Sequence, residues 1–400
     1  MGNSISAFGA SLAMPYFAIF LLGIRGGTAS AVVVLTLISL VDLAVQRLVA
    51  SPLERRLGGR VPAIAGCFIQ AAGWACLALS TLRWEVFASA CAIGVGNALF
   101  FSVRVNLQMD IIEEAAHGYS FALRYLCGNV GILLGGILGG SMVSWLGTHN
   151  GVKLLLLANA ATFACFALIL LAGVKPPTYR PRPDRSTPGR HTEKMSASWN
   201  RAATGLLAGY FLLVTTGLVQ FETVLPLQLT THAQMPAGMV GYLFSASALT
   251  TVALQMPIAR LSDRFGGLIS IRVIAASWTL AVLALWVSTH LPHAAAITLI
   301  VVAVLLLASG ECLFFPTLPS LLKTNDADLR RRTGSLTASA HSLGQFAGPS
   351  LGILLVTHSS FGLYLFIVGG AGLAALVIRQ LRSSAPEEAA VPRQTATPQP

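Results

Sequence analysis

Twelve stretches of this chain are long and apolar enough to cross a lipid bilayer, and that pattern restricts the fold more than any motif in it. They fall at residues 5–24, 29–50, 61–82, 86–109, 118–146 and 152–174. After a polar break come 204–229, 238–258, 268–287, 294–322, 334–356 and 361–381. A helix needs about 20 residues to span roughly 30 Å of hydrocarbon, whereas a barrel strand needs about 10 and alternates apolar with polar side chains. These runs are continuous, so their backbone hydrogen bonds must close within each segment, as in a helix. Charged residues make up 10% of the sequence, against about 25% in a soluble domain. Lipid has to cover what a polar surface covers elsewhere. The expected fold is an all-α polytopic membrane protein with twelve transmembrane helices.

The net charge of +11 suggests nucleic acid until its distribution is read. With Met1 on the cytoplasmic side, the cytoplasmic loops and termini hold 20 of the 26 Lys and Arg residues. Only Arg25, Arg83 and Lys153 fall on the other side, and Arg47, Arg104 and Arg124 fall within spans. Such asymmetry is expected of an inner-membrane protein with both termini in the cytoplasm. It assigns the positive charge to topology and leaves no nucleic-acid partner. The six cysteines are scattered without a C-x-x-C pair, so neither a disulfide framework nor a metal site is expected. The amino terminus lacks the basic n-region and cleavage site of a secretory leader, and 5–24 reads as a retained span.

Residues 175–201 carry five prolines and seven cations, too little apolar surface to fold alone, and read as a flexible cytoplasmic linker. The expected organisation is a six-helix bundle at 1–174, a linker at 175–203, a second six-helix bundle at 204–382 and a disordered cytoplasmic tail at 383–400. The two halves repeat. Gly96-Asn97-Ala98-Leu99-Phe100-Phe101 in the fourth span matches Gly310-Glu311-Cys312-Leu313-Phe314-Phe315 in the tenth. The run from Leu53 to Gly59 after the second span matches Leu261 to Gly267 after the eighth, and Pro15 matches Pro226. A parallel repeat of this kind predicts two pseudo-symmetric bundles with a binding site between them.

On these residues the chain resembles the major facilitator superfamily, and more specifically its drug-exporter-like branch of drug:proton antiporters. The resemblance covers nearly the whole chain through its six-plus-six layout and long central loop. The family's signature after the second span, roughly G-x-L-a-D-R-x-G-R-K, is kept at Leu53, Arg56, Gly58 and Arg60, with Ser51 and Arg55 in place of the first glycine and the aspartate. The copy after the eighth span is fuller, with Leu261, Asp263, Arg264 and Gly266. The glycine-rich antiporter motif of the fifth span is echoed by Gly128, Gly131, Gly135, Gly136, Gly139 and Gly140 without its proline. The fourth-span antiporter arginine would fall at Ala90. The resemblance implies gating roles for Asp263, Arg264 and Gly266. Asp263 is expected to approach the amino end of the fifth span near Gly118, where unpaired amides favour an anion.

Ionisable groups inside spans are costly, and they usually face a cavity or a partner. Asp42, Arg104 and Arg124 are expected near the cytoplasmic third of the first bundle, as an ion-paired lock with snorkelling arginines or as a site for an anionic group. Glu222 stands apart, one turn before Pro226 and with no cation in its span beyond Arg201. A carboxyl so placed can carry a proton or meet a cationic substrate. Glu311 in the tenth span is similar, matched in the first half by neutral Asn97. The glycine run has a plainer reading as close helix packing in lipid. The aromatic residues, Trp278 and Phe314 among them, are expected against lipid or neighbouring helices.

No H-E-x-x-H, phosphate loop or G-x-S-x-G elbow is present, so the sequence offers no catalytic group and implies no cofactor. The functional expectation is a secondary active transporter that exports a small, partly hydrophobic compound by ion-gradient-coupled alternating access. Protons are the expected coupling ion and a monomer in the lipid bilayer the expected state. Its rivals are a proton-coupled importer of a small metabolite and a non-transporting membrane scaffold or sensor.

Overall fold

The computed structural model describes residues 2–23, 27–111, 117–173, 197–231, 233–265, 267–321 and 327–383. The first half comprises α1 (Gly2–Gly23), α2 (Gly27–Val45), α3 (Ser51–Leu57), α4 (Arg60–Leu79), α5 (Arg83–Ile111), α6 (His117–Leu146) and α7 (Thr148–Gly173). The second comprises α8 (Ala197–Leu213), α9 (Leu225–Thr231), α10 (Ala237–Phe265), α11 (Gly267–Ser288), α12 (His293–Leu321), α13 (Ala327–His358) and α14 (Ser360–Ser383). Apart from Ser80 to Leu82, past the end of α4, the described residues of the expected runs lie in helix, although fewer than twelve of these helices qualify as spans. Among the described residues, ten helices are long and apolar enough to cross a membrane, and Phe8–Gly23 is a shorter apolar helix.

Three π-helical turns, Gln46–Ala50, Val214–Leu218 and Gln220–Val224, join α2 to α3 and α8 to α9 without a break. Elsewhere among the described residues the chain reverses through short turns. Gly147, between α6 and α7, has φ +78°, a conformation that a side chain would strain. Gly58 ends α3 at φ +75° and returns its N–H to Glu54 O. Successive long helices therefore run in opposite directions. The ends of α7 and α14 and the starts of α1 and α8 share one side, termed the linker side; the opposite side is the far side.

Helices α1, α2 and α4–α7 pack on one another, as do α8 and α10–α14. The two sets meet where α6 lies on α10, where α2 lies on α13, and where α1 touches α9, α10 and the second π-helical turn of the α8–α9 helix. Tyr16, Trp74 and Leu155 are fully buried in the first set and Trp278, Ile274 and Ile353 in the second. The outer faces are apolar, with Trp145 87% and Leu48 75% exposed. Such a surface is stable only where lipid replaces water.

Candidate functional site

The α8–α9 helix is irregular for reasons its sequence supplies. Within its two π-helical turns, Val219 N–H donates to Val214 O and Leu225 N–H to Gln220 O, five residues back instead of four. Pro226 has no N–H to offer the carbonyl four residues earlier, that of Glu222. Thr215 and Thr216 return their hydroxyls to Phe211 O and Leu212 O, at 2.7 and 2.9 Å, which perturbs a regular ladder further. Gln220 takes up what the widened turn leaves: its Nε2 donates to Thr215 O at 2.7 Å and, across to α13, to Gly348 O at 2.8 Å. Every residue from Val214 to Gln220 is buried, whereas Glu222 is exposed to a cavity. Widened turns of this kind are frequent at functional sites.

That cavity lies between the α8–α9 helix, α10 and α12, and it brings together two of the acids picked out in the sequence. Glu222 and Glu311 both line it, with Phe221, Leu225, Phe244 and Leu307 among its apolar walls and Ser247 as a hydroxyl. Its volume is about 60 Å³, room for water molecules and not for a drug-sized solute. Among the described residues, no cationic side chain lines it. The first half offers no equivalent. Pro15 corresponds to Pro226, so Glu222 corresponds to Ser11, whose Oγ donates to Phe8 O at 2.8 Å and Gly131 O at 3.3 Å. Glu311 corresponds to Asn97.

Asp42 sits elsewhere, half-buried on α2 just before the π-helical turn Gln46–Ala50, and does not line the acidic cavity. Arg104 and Arg124 are on α5 and α6, but their side chains, and so the expected meeting with Asp42, lie outside the described residues. The same holds for the side chains of Asp263 and Arg264 at the end of α10, and for Gly266.

The glycine run of the fifth span serves two neighbours through alternate positions. Gly135 and Gly139 face α1, against Ser11 and Tyr16. Gly136 and Gly140 face α10, where a methyl on either would collide with backbone oxygen, of Gly241 and Gly238 respectively. Ser245 Oγ donates to Leu133 O at 2.8 Å, and Ser141 Oγ and Tyr242 Oη lie 2.9 Å apart. These contacts are on the far-side half of α6 and α10. On the α2–α13 seam, Thr36 Oγ1 and Ser350 Oγ are 2.7 Å apart. The far side is closed by contact between the two halves.

An aromatic column that no sequence motif announces runs from the cavity toward the linker side. Phe221 meets Trp278 edge-on at 5.3 Å, Trp278 meets Phe314 at 6.1 Å, and Phe314 stacks on Tyr210 at 5.2 Å. Trp278 and Phe314 are packed between helices, whereas Trp286 and Phe101 are 44% exposed. The large indole fits because Gly217 and Gly310 lie against it. Tyr210 Oη ends the column at 3.1 Å from His341 Nδ1 on α13.

Two sets of long apolar helices, meeting along a glycine-lined seam beside an acidic cavity, define a multi-pass membrane protein with the fold of a secondary transporter. The chain belongs to the Major Facilitator Superfamily, whose pattern matches residues 1–238 and 206–400. The multidrug resistance protein MdtH of Salmonella paratyphi B is 29% identical over 214 residues, 52% of this chain and 49% of that protein. MdtH of Salmonella newport matches to the same extent. The chain spans about half the length of the curated relatives it matches. Among solved structures, a mutant of the nucleoside transporter NupG is similar with TM-score 0.73 at 14% identity, over 95% of this chain and 98% of that one. A bacterial homologue of the iron transporter ferroportin, in an inward-facing state, gives 0.71 at 16% identity, over 96% and 97%. At these identities the likeness is one of fold.

Proposed function

We propose that this protein exports a small, partly hydrophobic compound across the inner membrane by alternating access, and that protons moving through the Glu222–Glu311 pair drive the cycle. The observation that carries this reading is the pair itself: two carboxyls from different helices share one apolar cavity that, among the described residues, no cation lines. Two such groups hold a shared proton more readily than two adjacent negative charges. The family relative named for multidrug resistance favours an exporter. A cavity of about 60 Å³ must widen to admit a solute, so binding and conformational change are coupled in this reading. Cells lacking their own exporters are the test. Expression should raise resistance to a panel of amphiphilic compounds and lower ethidium accumulation, both reversed by a protonophore. Unchanged susceptibility and accumulation, with the protein present in the membrane, would count against export.

The orientation belongs to the same proposal, with both termini cytoplasmic and the far side outward. A cysteine introduced at His290, an exposed residue in the turn between α11 and α12, should react with an impermeant maleimide in intact cells. Complete protection until lysis would invert the topology. The linker-side gate is expected to depend on Asp263. Asp263→Asn should impair cycling more than Arg55→Gln, because Arg330, Arg331 and Arg332 already make the equivalent corner of the second half positive. Equal transport by the two variants would contradict that asymmetry.

A further inference from the structure

His341 lies outside the acidic cavity, and its two neighbours are unusual for a half-buried histidine. Tyr210 Oη is 3.1 Å from its Nδ1, and the Gln345 side-chain amide, one turn along α13, is 3.3 Å from its Nε2. A histidine held for structure normally has its tautomer fixed by a one-way partner. His358 shows that arrangement, with Nδ1 against the carbonyl of Leu354 at 2.8 Å. A carbonyl only accepts, so it keeps a proton on that nitrogen. A tyrosine hydroxyl both donates and accepts, and a glutamine amide does the same once its oxygen and nitrogen exchange places. Rotation of one bond in each partner therefore satisfies either neutral tautomer, or an imidazolium donating from both nitrogens. Sites that take up and release protons need that indifference. Structural sites do not.

The placement agrees with the chemistry. Glu311 and Phe314 are three residues apart on α12, on neighbouring turns of one face, and Phe314 is the ring stacked on Tyr210. Since α12 runs from the far side to the linker side, Phe314 lies about 4.5 Å further toward the linker side than Glu311, and Tyr210, stacked on it, leads on to His341. His341 is half-buried and Gln345 exposed, so the imidazole is reached from one edge. Among the described residues, Tyr210 faces it from the neighbouring helix, ring centroids 6.0 Å apart, and Gln345 from its own. No charged side chain among the described residues acts on it.

We propose that His341 is a proton-binding station between the Glu222–Glu311 cavity and the linker side, with Tyr210 and Gln345 as its reversible partners. The proposal rests on the reading that the carboxyl pair carries protons. A proton leaving Glu311 breaks its O–H bond and ends as an N–H bond on the imidazole. A carboxylate and an imidazolium are left, and a second transfer to linker-side water restores the neutral ring.

The test is nitrogen-15 histidine spectroscopy of the full-length protein in nanodiscs, over about pH 5 to 9. The His341 signals are assigned by their loss in His341→Gln, or, should that variant fail to fold, by their displacement in Tyr210→Phe. The expected result is a mixture of both neutral tautomers at high pH, converting reversibly to the doubly protonated ring at low pH. Tyr210→Phe should shift the tautomer ratio by several-fold while the variant remains folded. A single tautomer retained across the whole range would overturn the proposal and leave His341 a structural residue. The readout does not depend on transport. A titrating His341 alongside undiminished proton-driven flux in Glu222→Gln would support the histidine as a proton site and remove the carboxyl reading.

Discussion

Glu222→Gln is expected to reduce proton-driven flux in proteoliposomes to the level of empty liposomes, while the same purified variant still binds its substrate within about tenfold of the unaltered affinity. The amide keeps the size of the side chain and its polarity but removes both the charge and the ability to take up a proton. Glu222 projects into the cavity from the widened turn that Gln220 and Pro226 impose, so the substitution leaves the packing of Val214 to Gln220 untouched. Shape and apolar contact with Phe221, Leu225 and Phe244 survive, which is why binding should persist. What is lost is the step in which the carboxyl changes protonation as the cavity opens to each side in turn, and with it the coupling free energy between the gradient and the solute. Glu311→Gln should lower flux too, because the two carboxyls line one cavity. The compound selected by the susceptibility screen serves as substrate, under an imposed pH gradient. Full gradient-driven flux in Glu222→Gln would leave facilitated diffusion, or coupling through Asp42, as the better account.

How much of this was legible beforehand depends on whether the determining physics is local. The helical runs were legible because hydrocarbon imposes a one-dimensional signal, about 20 apolar residues at a time. The repeat was legible at Pro15 and Pro226 and at the Asn97 and Glu311 motifs because each half must bury equivalent faces. Glu222 and Glu311 stood out singly as acids without neighbours, but nothing in a sequence places residues 222 and 311 on one cavity; that is decided by how α8–α9, α10 and α12 pack. The π-helical turns had signals that were present and went unread, in Thr215-Thr216-Gly217 followed by Pro226. Gln220, Tyr210 and Gln345 were invisible for a different reason. Their roles consist of bonds to other helices, to Gly348 O and to His341. The glycine run is legible as close helix packing, and it does pack. Its division into one pair facing α1 and another facing α10 required the partner helices to be in place.

Gly241→Ala is expected to shift the protein toward a state open on the far side, by roughly 5- to 150-fold in population. Gly241 sits where α10 crosses α6, and a methyl added there meets Gly136 O, Gly140 N and Tyr16 Oη within 3.0 Å. Two of these three are backbone atoms, which cannot rotate out of the way as the end of a side chain can. The helices must therefore separate, and overpacking of this sort costs about 1–3 kcal/mol. That cost falls only on the state in which α6 and α10 touch. Alanine at Gly372 provides the control, since a methyl there meets nothing within 4 Å. Tyr242→Phe, which removes the 2.9 Å contact with Ser141, should act in the same direction but more weakly, at about 0.5–1.5 kcal/mol. Spin labels at Thr148 and His293, exposed residues that open α7 and α12 on the far side, report the separation of the two halves directly. Gly241→Ala should add a longer component to their distance distribution, and Gly372→Ala should not. The comparison separates two accounts of the same glycines. If they serve only to pack helices in lipid, the methyl lowers stability and leaves the distances unchanged. If they form the closing surface of an alternating-access cycle, the folded protein survives and its population moves.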